Sequence, residues 1–147
     1  MATLNADLLT LTMKTIEESP DTWDQRHWRC NSGMCFAGWV CELSGSRWLV
    51  PADQVTLNMD DDSWVPGIYA YMEPSYVIDH RRDWKTLRDG RAGVHVQTRA
   101  QRLLGLTEVE ADRLFDQDQD LAGLRIQVEW LLRPQRAELE ALIEGLA

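Results

Sequence analysis

The sequence predicts a mainly α fold: a compact single-domain helical bundle of about five helices spanning residues 1–147, with an irregular insertion at 46–93 packed on the helical core. Three observations support that expectation. Apolar residues recur at helical spacing near the N-terminus and through the last third of the chain. Several of these runs open on a capping residue and stop at glycine or before proline. The balance of 44% hydrophobic and 27% charged residues in a 147-residue chain is that of a folded globular protein. A chain of this length buries roughly 68 to 70% of the surface it would expose unfolded, enough for a core without disulfides or metal.

Residues 4–18 place Leu4, Leu8, Leu11 and Met13 to Ile16 close to helical spacing, with Asn5 or Asp7 positioned to cap the start and Pro20 to end the run. A second apolar run, Met34 to Leu43, has Glu42 as its one charged member and reads as a buried helix with Ser32 as cap and Gly45 as stop. Gly38 within it costs on the order of 1 kcal/mol relative to alanine, a loss that a closely packed backbone offsets. Residues 46–93 are interrupted by Pro51, Pro66 and Pro74 and by the turn-forming run Asp60 to Ser63, which leaves room for short strands at Trp48 to Val50 and at Trp64 and Val65. Tyr69, Tyr71, Tyr76 and Trp84 give this stretch the aromatic surface to fold back onto the core.

Regular structure is expected again from Val94. Val96, Ala100, Leu103 and Leu104 form an apolar stripe over 95–104, ended by Gly105. Thr107 and Glu110 then form a capping box for a short helix reaching about Phe115. After the acidic turn Asp116 to Asp120, Asp120 caps a helix through Leu121, Leu124, Val128, Leu131 and Leu132. Pro134 fits the first turn of a terminal helix carrying Leu139, Leu142, Ile143 and Leu146.

The residues with most chemical potential crowd into one stretch: Trp23, His27, Trp28, Cys30, Cys35, Trp39 and Cys41. His27 and the three cysteines are zinc-ligand types. If 33–44 is helical, the six residues from Cys35 to Cys41 rotate their sulfurs apart by roughly 240°. His27, Cys30 and Cys35 therefore remain as the candidate metal site. The same three residues are the candidates for a thiol-dependent enzyme, with Cys35 near a helix N-terminus, where the dipole lowers a thiol pKa, and His27 as base. Apolar Met34 and Phe36 act in the opposite direction, and buried cysteines serving as small hydrophobes are the favoured reading. No catalytic residue, metal ligand or cofactor is accordingly assigned. Phosphate-loop and dinucleotide fingerprints are absent, so ATP or NAD dependence has no support.

Other charged motifs read blandly. Asp60 to Asp62 lacks the alternating ligands, glycine and distal glutamate of a calcium loop and is expected as a solvated turn. The mixed-sign run Asp79 to Trp84 is expected to form surface pairs of little individual worth. His80 and His95 have no companions at ligand spacing. Residues 108–120 hold six carboxylates against Arg113 alone, a pattern that fits capping and a solvated helix face before it fits mimicry of nucleic acid. The formal net charge of −9, more than half of it on residues 101–147, disfavours nucleic acid as a direct partner. The N-terminus shows no basic run and no long apolar stretch, so a cytoplasmic location without membrane contact is expected, and with it free thiols.

Two segments resemble a small family of uncharacterised proteins from actinobacteria and their phages. Trp28, Cys30, Cys35, Ala37, Gly38 and Trp39 match the pattern W-x-C-G-T-x-x-C-x-A-G-W/H, with Asp24 and Gln25 just upstream. Ala100, Leu103 to Leu106 and the pair Leu114 and Phe115 are similar to the family's A-x-x-L-L-G-L and L-F elements. Asn31 and Ser32 depart from its usual glycine and threonine, although serine keeps a capping hydroxyl. The resemblance implies a phage or actinobacterial origin and an intracellular setting, and carries no reaction with it. The resulting expectation is a non-enzymatic, phage-encoded accessory protein that binds a host protein, tryptophan being a favoured interface anchor. A thiol- or zinc-dependent protein using His27, Cys30 and Cys35 is one alternative, and an acidic nucleic-acid mimic is another.

Overall fold

In a computed structural model of the chain, the residues described are 3–25, 34–50, 70–87, 89–133, 142 and 145. They form five α-helices and a small antiparallel sheet, the mainly α architecture expected. Helix α1 (Ala6–Glu18) begins at Asn5, whose side-chain oxygen accepts the Leu8 N–H at 3.1 Å. Its inward face carries Leu9, Met13 and Ile16. Thr12 lies fully buried on the same face because its hydroxyl donates to the Leu8 carbonyl at 2.7 Å, leaving no unmet polar atom. Pro20 ends the helix and opens a single 3-10 turn, Pro20–Thr22.

Helix α2 (Phe36–Leu43) is shorter at its start than the apolar run suggested. Its N-cap is Cys35, not Ser32, which lies outside the described residues. Gly45 takes up a positive φ of 78° just past its end, as a stop residue should. The helix is central, packed against α1 and α3. Phe36, Ala37, Val40 and Cys41 are all fully buried.

The middle of the chain supplies the sheet. Strand β3 (Ala92–His95) pairs antiparallel with β1 (Tyr71–Met72) on one edge and β2 (Lys85–Thr86) on the other. The expected strand at Trp48 is reduced to one antiparallel bridge with Met72, flanked by Leu49 N–H donating to the Tyr71 carbonyl at 3.1 Å. Asp60 to Asp62, Trp64 and Tyr69 lie outside the described residues.

β3 runs directly into α3 (Val96–Leu104), whose apolar stripe buries Val96, Ala100 and Leu104. Gly105 ends it in the left-handed conformation, φ 69°, and the Leu106 N–H reaches back to the Gln101 carbonyl at 3.1 Å. A second constraint acts here: any Cβ at Gly105 would run into the Thr3 carbonyl. The Asn5 N–H donates to the Leu104 carbonyl at 2.8 Å, so the start of the chain is fastened to the end of α3. Helix α4 (Glu108–Leu114) opens on the expected capping box, with the Glu110 carboxylate accepting the Thr107 N–H at 2.9 Å and the Thr107 hydroxyl accepting the Glu110 N–H at 3.2 Å. Helix α5 (Leu121–Leu131) is capped by Asp120 through the Gly123 N–H at 2.7 Å. It packs on α1 and α4 through Leu124, Val128 and Leu131. Of the terminal helix expected after Pro134, Leu142 and Gly145 are the described residues, and both are helical. No helix among the described residues is long and apolar enough to cross a membrane.

Candidate functional site

Of the three candidate ligands or catalytic residues, Cys35 is within the described structure, while His27 and Cys30 lie outside it. Cys35 is placed by a short parallel pairing that the sequence did not suggest. Trp23 bridges Met34, with the Asp24 N–H donating to the Met34 carbonyl at 2.9 Å and the Met34 N–H to the Thr22 carbonyl at 3.1 Å. This pairing delivers the chain to the first turn of α2, where the Cys35 Sγ accepts the Gly38 N–H at 3.4 Å. The side chain has no exposed surface.

Two opposed effects meet at this thiol. The backbone amides at the start of α2 favour the thiolate, as expected of a helix N-terminus, but burial disfavours it more and pushes the pKa up to about 12. Cys41, also fully buried, directs its sulfur to the Val96 carbonyl at 3.6 Å, and burial holds its thiol well above the ordinary range. Both cysteines are thiols and stay protonated at neutral pH, which makes Cys35 a poor nucleophile.

The polar centre of this region is instead Gln25, 6% exposed. Its Oε1 accepts the Trp23 indole N–H at 3.0 Å and the Phe36 N–H at 3.1 Å. Its Nε2 donates to the carbonyls of Leu114 and Asp116, both at 3.0 Å. One amide thus uses both donors and two acceptor positions to tie the Trp23 segment, the start of α2 and the end of α4 together. Trp39 reinforces the junction, its indole donating to the Thr22 carbonyl at 3.1 Å. An open cleft of about 340 Å³ lies over it, lined by Trp23, Asp24, Gln25 and residues 117–120. Its polar side chains are largely engaged within the fold: Gln25 as above, Asp120 in capping α5, and Gln119 in donating to the Arg113 carbonyl at 3.0 Å. A larger groove of about 500 Å³ between α1 and α5 is floored by Met13, Val128 and Leu132 and spanned by the Arg125 to Glu17 ion pair at 3.1 Å. Among the described residues, no group of three or more His, Cys, Asp and Glu side chains is arranged to hold a metal ion.

A second polar centre corrects the expectation for Asp79 to Trp84. Its two carboxylates, Asp79 and Asp83, do not form weak surface pairs. Arg99 of α3 and Asp79 are 2% and 0% exposed in their side chains and meet in a two-pronged ion pair, Nε to Oδ1 at 2.8 Å and Nη2 to Oδ2 at 2.6 Å. Nη2 also donates to the Glu73 carbonyl at 2.6 Å. One turn on, Arg102 grips Asp83 with two bonds of 2.9 and 3.0 Å, and the guanidinium holds that carboxyl below its usual range. The physical reason is that α3 turns residues 99 and 102 toward the same loop, a juxtaposition twenty residues distant in sequence. His95 is likewise more than an isolated imidazole. It caps α3, with Nδ1 accepting the Gln97 N–H at 3.1 Å, and lies edge-on to Tyr71 at 5.2 Å between ring centroids. Burial lowers its pKa from 6.5 to about 4.

The acidic stretch at 108–120 is largely engaged with its own chain. Glu110 and Asp120 cap helices, the Asp116 carboxylate accepts the Asp118 N–H at 2.9 Å, and Asp112 accepts from the Gln97 amide at 3.2 Å.

Gln25 and Arg99 are the organising residues that sequence reading missed. Arg99 did leave a signal, because it falls three residues after Val96 and four before Leu103, on the apolar stripe of its helix. Gln25 stood out only as a neighbour of the family-like motif, with no signal of this role in spacing or charge. Comparison with protein-family models, curated proteins and solved structures yields no match.

Proposed function

We propose that the protein is a non-enzymatic accessory protein, phage-encoded and cytoplasmic, that acts by binding a host protein. The observation that supports this reading best is the contrast between a sealed interior thiol and apolar side chains turned outward. Cys35 is fully buried with its thiol pushed up to about 12, whereas Tyr76 and Val77 are 85% and 94% exposed. Exposed aromatic and aliphatic side chains are the material of protein interfaces.

Affinity capture with the full chain from actinobacterial lysate tests the reading. A stoichiometric protein partner recovered in independent preparations is the expected result, and repeated recovery of none counts against it. Elemental analysis of protein purified without chelator, together with native thiol titration, separates this reading from a thiol- or zinc-dependent one using His27, Cys30 and Cys35. One equivalent of zinc, or rapid native-state modification of Cys35, would replace the binding reading.

A further inference from the structure

We propose that the loop at 73–84 is a rigid docking tip for a protein partner that offers an apolar pocket rimmed by carboxylates. This rests on the protein-binding reading and adds the surface and the partner's chemistry to it.

The loop is braced to an unusual degree for an exposed connection. Asp79 accepts the Ser75 N–H at 2.8 Å in addition to both arms of Arg99, and the Asp79 N–H donates to the Ser75 carbonyl at 3.0 Å. The Ser75 hydroxyl oxygen accepts the N–H groups of Val77 and Ile78, both at 3.3 Å. Asp83 accepts the His80 N–H at 3.0 Å while it is gripped by Arg102. The loop is thus pinned to α3 at two points one turn apart. A buried ion pair is a poor source of net stability, because removing both charges from water offsets most of their attraction. Its effect here is positional: it fixes the turn whose apex carries Tyr76 and Val77. A preorganised apex lowers the ordering cost of association.

The composition of the apex fits an interface anchor. The Tyr76 ring meets the Trp84 ring at 4.9 Å between centroids, and the Arg81 guanidinium lies 4.3 Å from the centroid of the same indole. Tyrosine, tryptophan and arginine are the residue types enriched at binding hot spots. The Trp84 indole N–H is buried and has no hydrogen-bond partner among the described residues.

Charge selects the partner. Asp79 and Asp83 are neutralised by Arg99 and Arg102, so the outward charges of this stretch are the cations of Arg81, Arg82 and Lys85, all exposed and without an ion pair among the described residues, against the single exposed carboxylate of Glu73, which leaves the stretch net basic. A basic face on a chain of net charge −9 is complementary to carboxylates on another protein. Single-stranded nucleic acid fits less well. The Trp84 ring is already stacked by Arg81 and abutted by Tyr76, Val77 has no face on which a base can stack, and the whole-chain charge opposes phosphate.

The test is panning of a phage-displayed random dodecapeptide library on the immobilised full chain, followed by titration of synthetic versions of the enriched peptides. Enriched peptides should carry an aliphatic or aromatic residue flanked by Asp or Glu. Their affinity should fall about tenfold or more in Tyr76→Ser and in the double variant Arg81→Glu with Arg82→Glu, and should weaken as salt is raised. Ile126→Ser, at an exposed site on α5, should bind as the parent does, and far-UV circular dichroism verifies that each variant is folded. Enrichment of carboxylate-free peptides, absence of any enrichment, or unchanged affinity in both loop variants overturns the proposal. A lysate partner that binds both loop variants at full strength overturns the surface while leaving the protein-binding reading intact. Peptides that converge on the tip when no lysate partner is found uphold the surface and count against that reading alone.

Discussion

Replacing Gln25 by methionine tests whether the tryptophan- and cysteine-rich stretch is organised by this one amide. Methionine keeps the length and approximate volume of the side chain and removes all four hydrogen bonds, of 3.0, 3.0, 3.0 and 3.1 Å. The Phe36 N–H and the Leu114 carbonyl bond to it in buried positions, so each is left without a partner at a cost of about 1–3 kcal/mol. The Trp23 indole and the Asp116 carbonyl are only partly buried and can turn to water, which limits each loss to roughly 0.5–1.5 kcal/mol. Burial of the methionine returns part of this, about 1–2 kcal/mol. The expected net loss is about 1–8 kcal/mol, centred near 4, a large share of the roughly 5–15 kcal/mol that holds a domain together. Urea unfolding followed by tryptophan fluorescence measures it, and the slope against denaturant should be unchanged if only stability has moved.

Gln25→Glu sharpens the same test. The introduced carboxylate retains the acceptor role toward Trp23 and Phe36 but faces the Leu114 and Asp116 carbonyls with no hydrogen to donate. Protonation restores one donor, so the folded-state pKa of this carboxyl should lie above its unfolded value of about 4.3. A carboxyl raised in this way contributes stability that is present at low pH and is lost as pH rises through the folded pKa. The variant should therefore approach the parent as pH falls from about 7 toward about 4.5. A Gln25→Met loss below about 1 kcal/mol, the least that one stranded buried group should cost, or a Gln25→Glu deficit independent of pH, would refute the clamp.

Three further outcomes follow from the same geometry. Arg99→Met should cost about 3–5 kcal/mol because it strands the Asp79 carboxylate in the interior, and adding Asp79→Leu should recover much of that loss; equal losses in the single and double variants would contradict a buried pair. Gly105→Ala should destabilise by at least about 2 kcal/mol, since the left-handed backbone alone costs about 1–2 and the Thr3 carbonyl stands in the way of the new methyl group. Gly45→Ala, with positive φ but open space, should lose only the first part, so the difference between their thermal midpoints reports the contact. For His95, a folded pKa of about 4 against 6.5 unfolded means that the unfolded chain takes up the proton first as pH falls. Stability should drop between about pH 6.5 and about pH 4 by roughly 3 kcal/mol and then level off in this respect. His95→Asn keeps a capping oxygen without the titration and should flatten the slope across that window; an unchanged slope would assign it to other groups.

What could be read from the sequence was what local chemistry decides. Asn5, Asp120 and the Thr107 and Glu110 box cap the helices they were expected to cap, because a cap needs only a side-chain oxygen within three residues of an exposed amide. Gly105 closes α3 for an equally local reason. The burial of Cys35 and Cys41 also followed from their apolar neighbours. What escaped was everything fixed by distant partners. Gln25 reaches α4 across some ninety positions, and Arg99 finds Asp79 only after the sheet has folded the loop back onto α3. Cys35, the cap of α2, directly follows the pairing of Trp23 with Met34, which no periodicity encodes.

That cap also offers a reason for cysteine here without invoking reactivity. The first turn of α2 begins inside the core, so its cap must accept an amide hydrogen while exposing nothing to water. A hydroxyl would be a stronger acceptor but would bring a strong O–H donor that burial obliges to find its own partner. A thiol accepts the Gly38 N–H and carries only a weak donor, so it behaves as a small hydrophobe that happens to cap. The same surroundings that make the thiol suitable also raise its pKa. The raised pKa of Cys35 is therefore a consequence of its structural role, and the recognition surface proposed above is the opposite kind of site: a loop whose Asp79 and Asp83 carboxylates are held by α3 and whose Tyr76 and Val77 side chains stand in solvent.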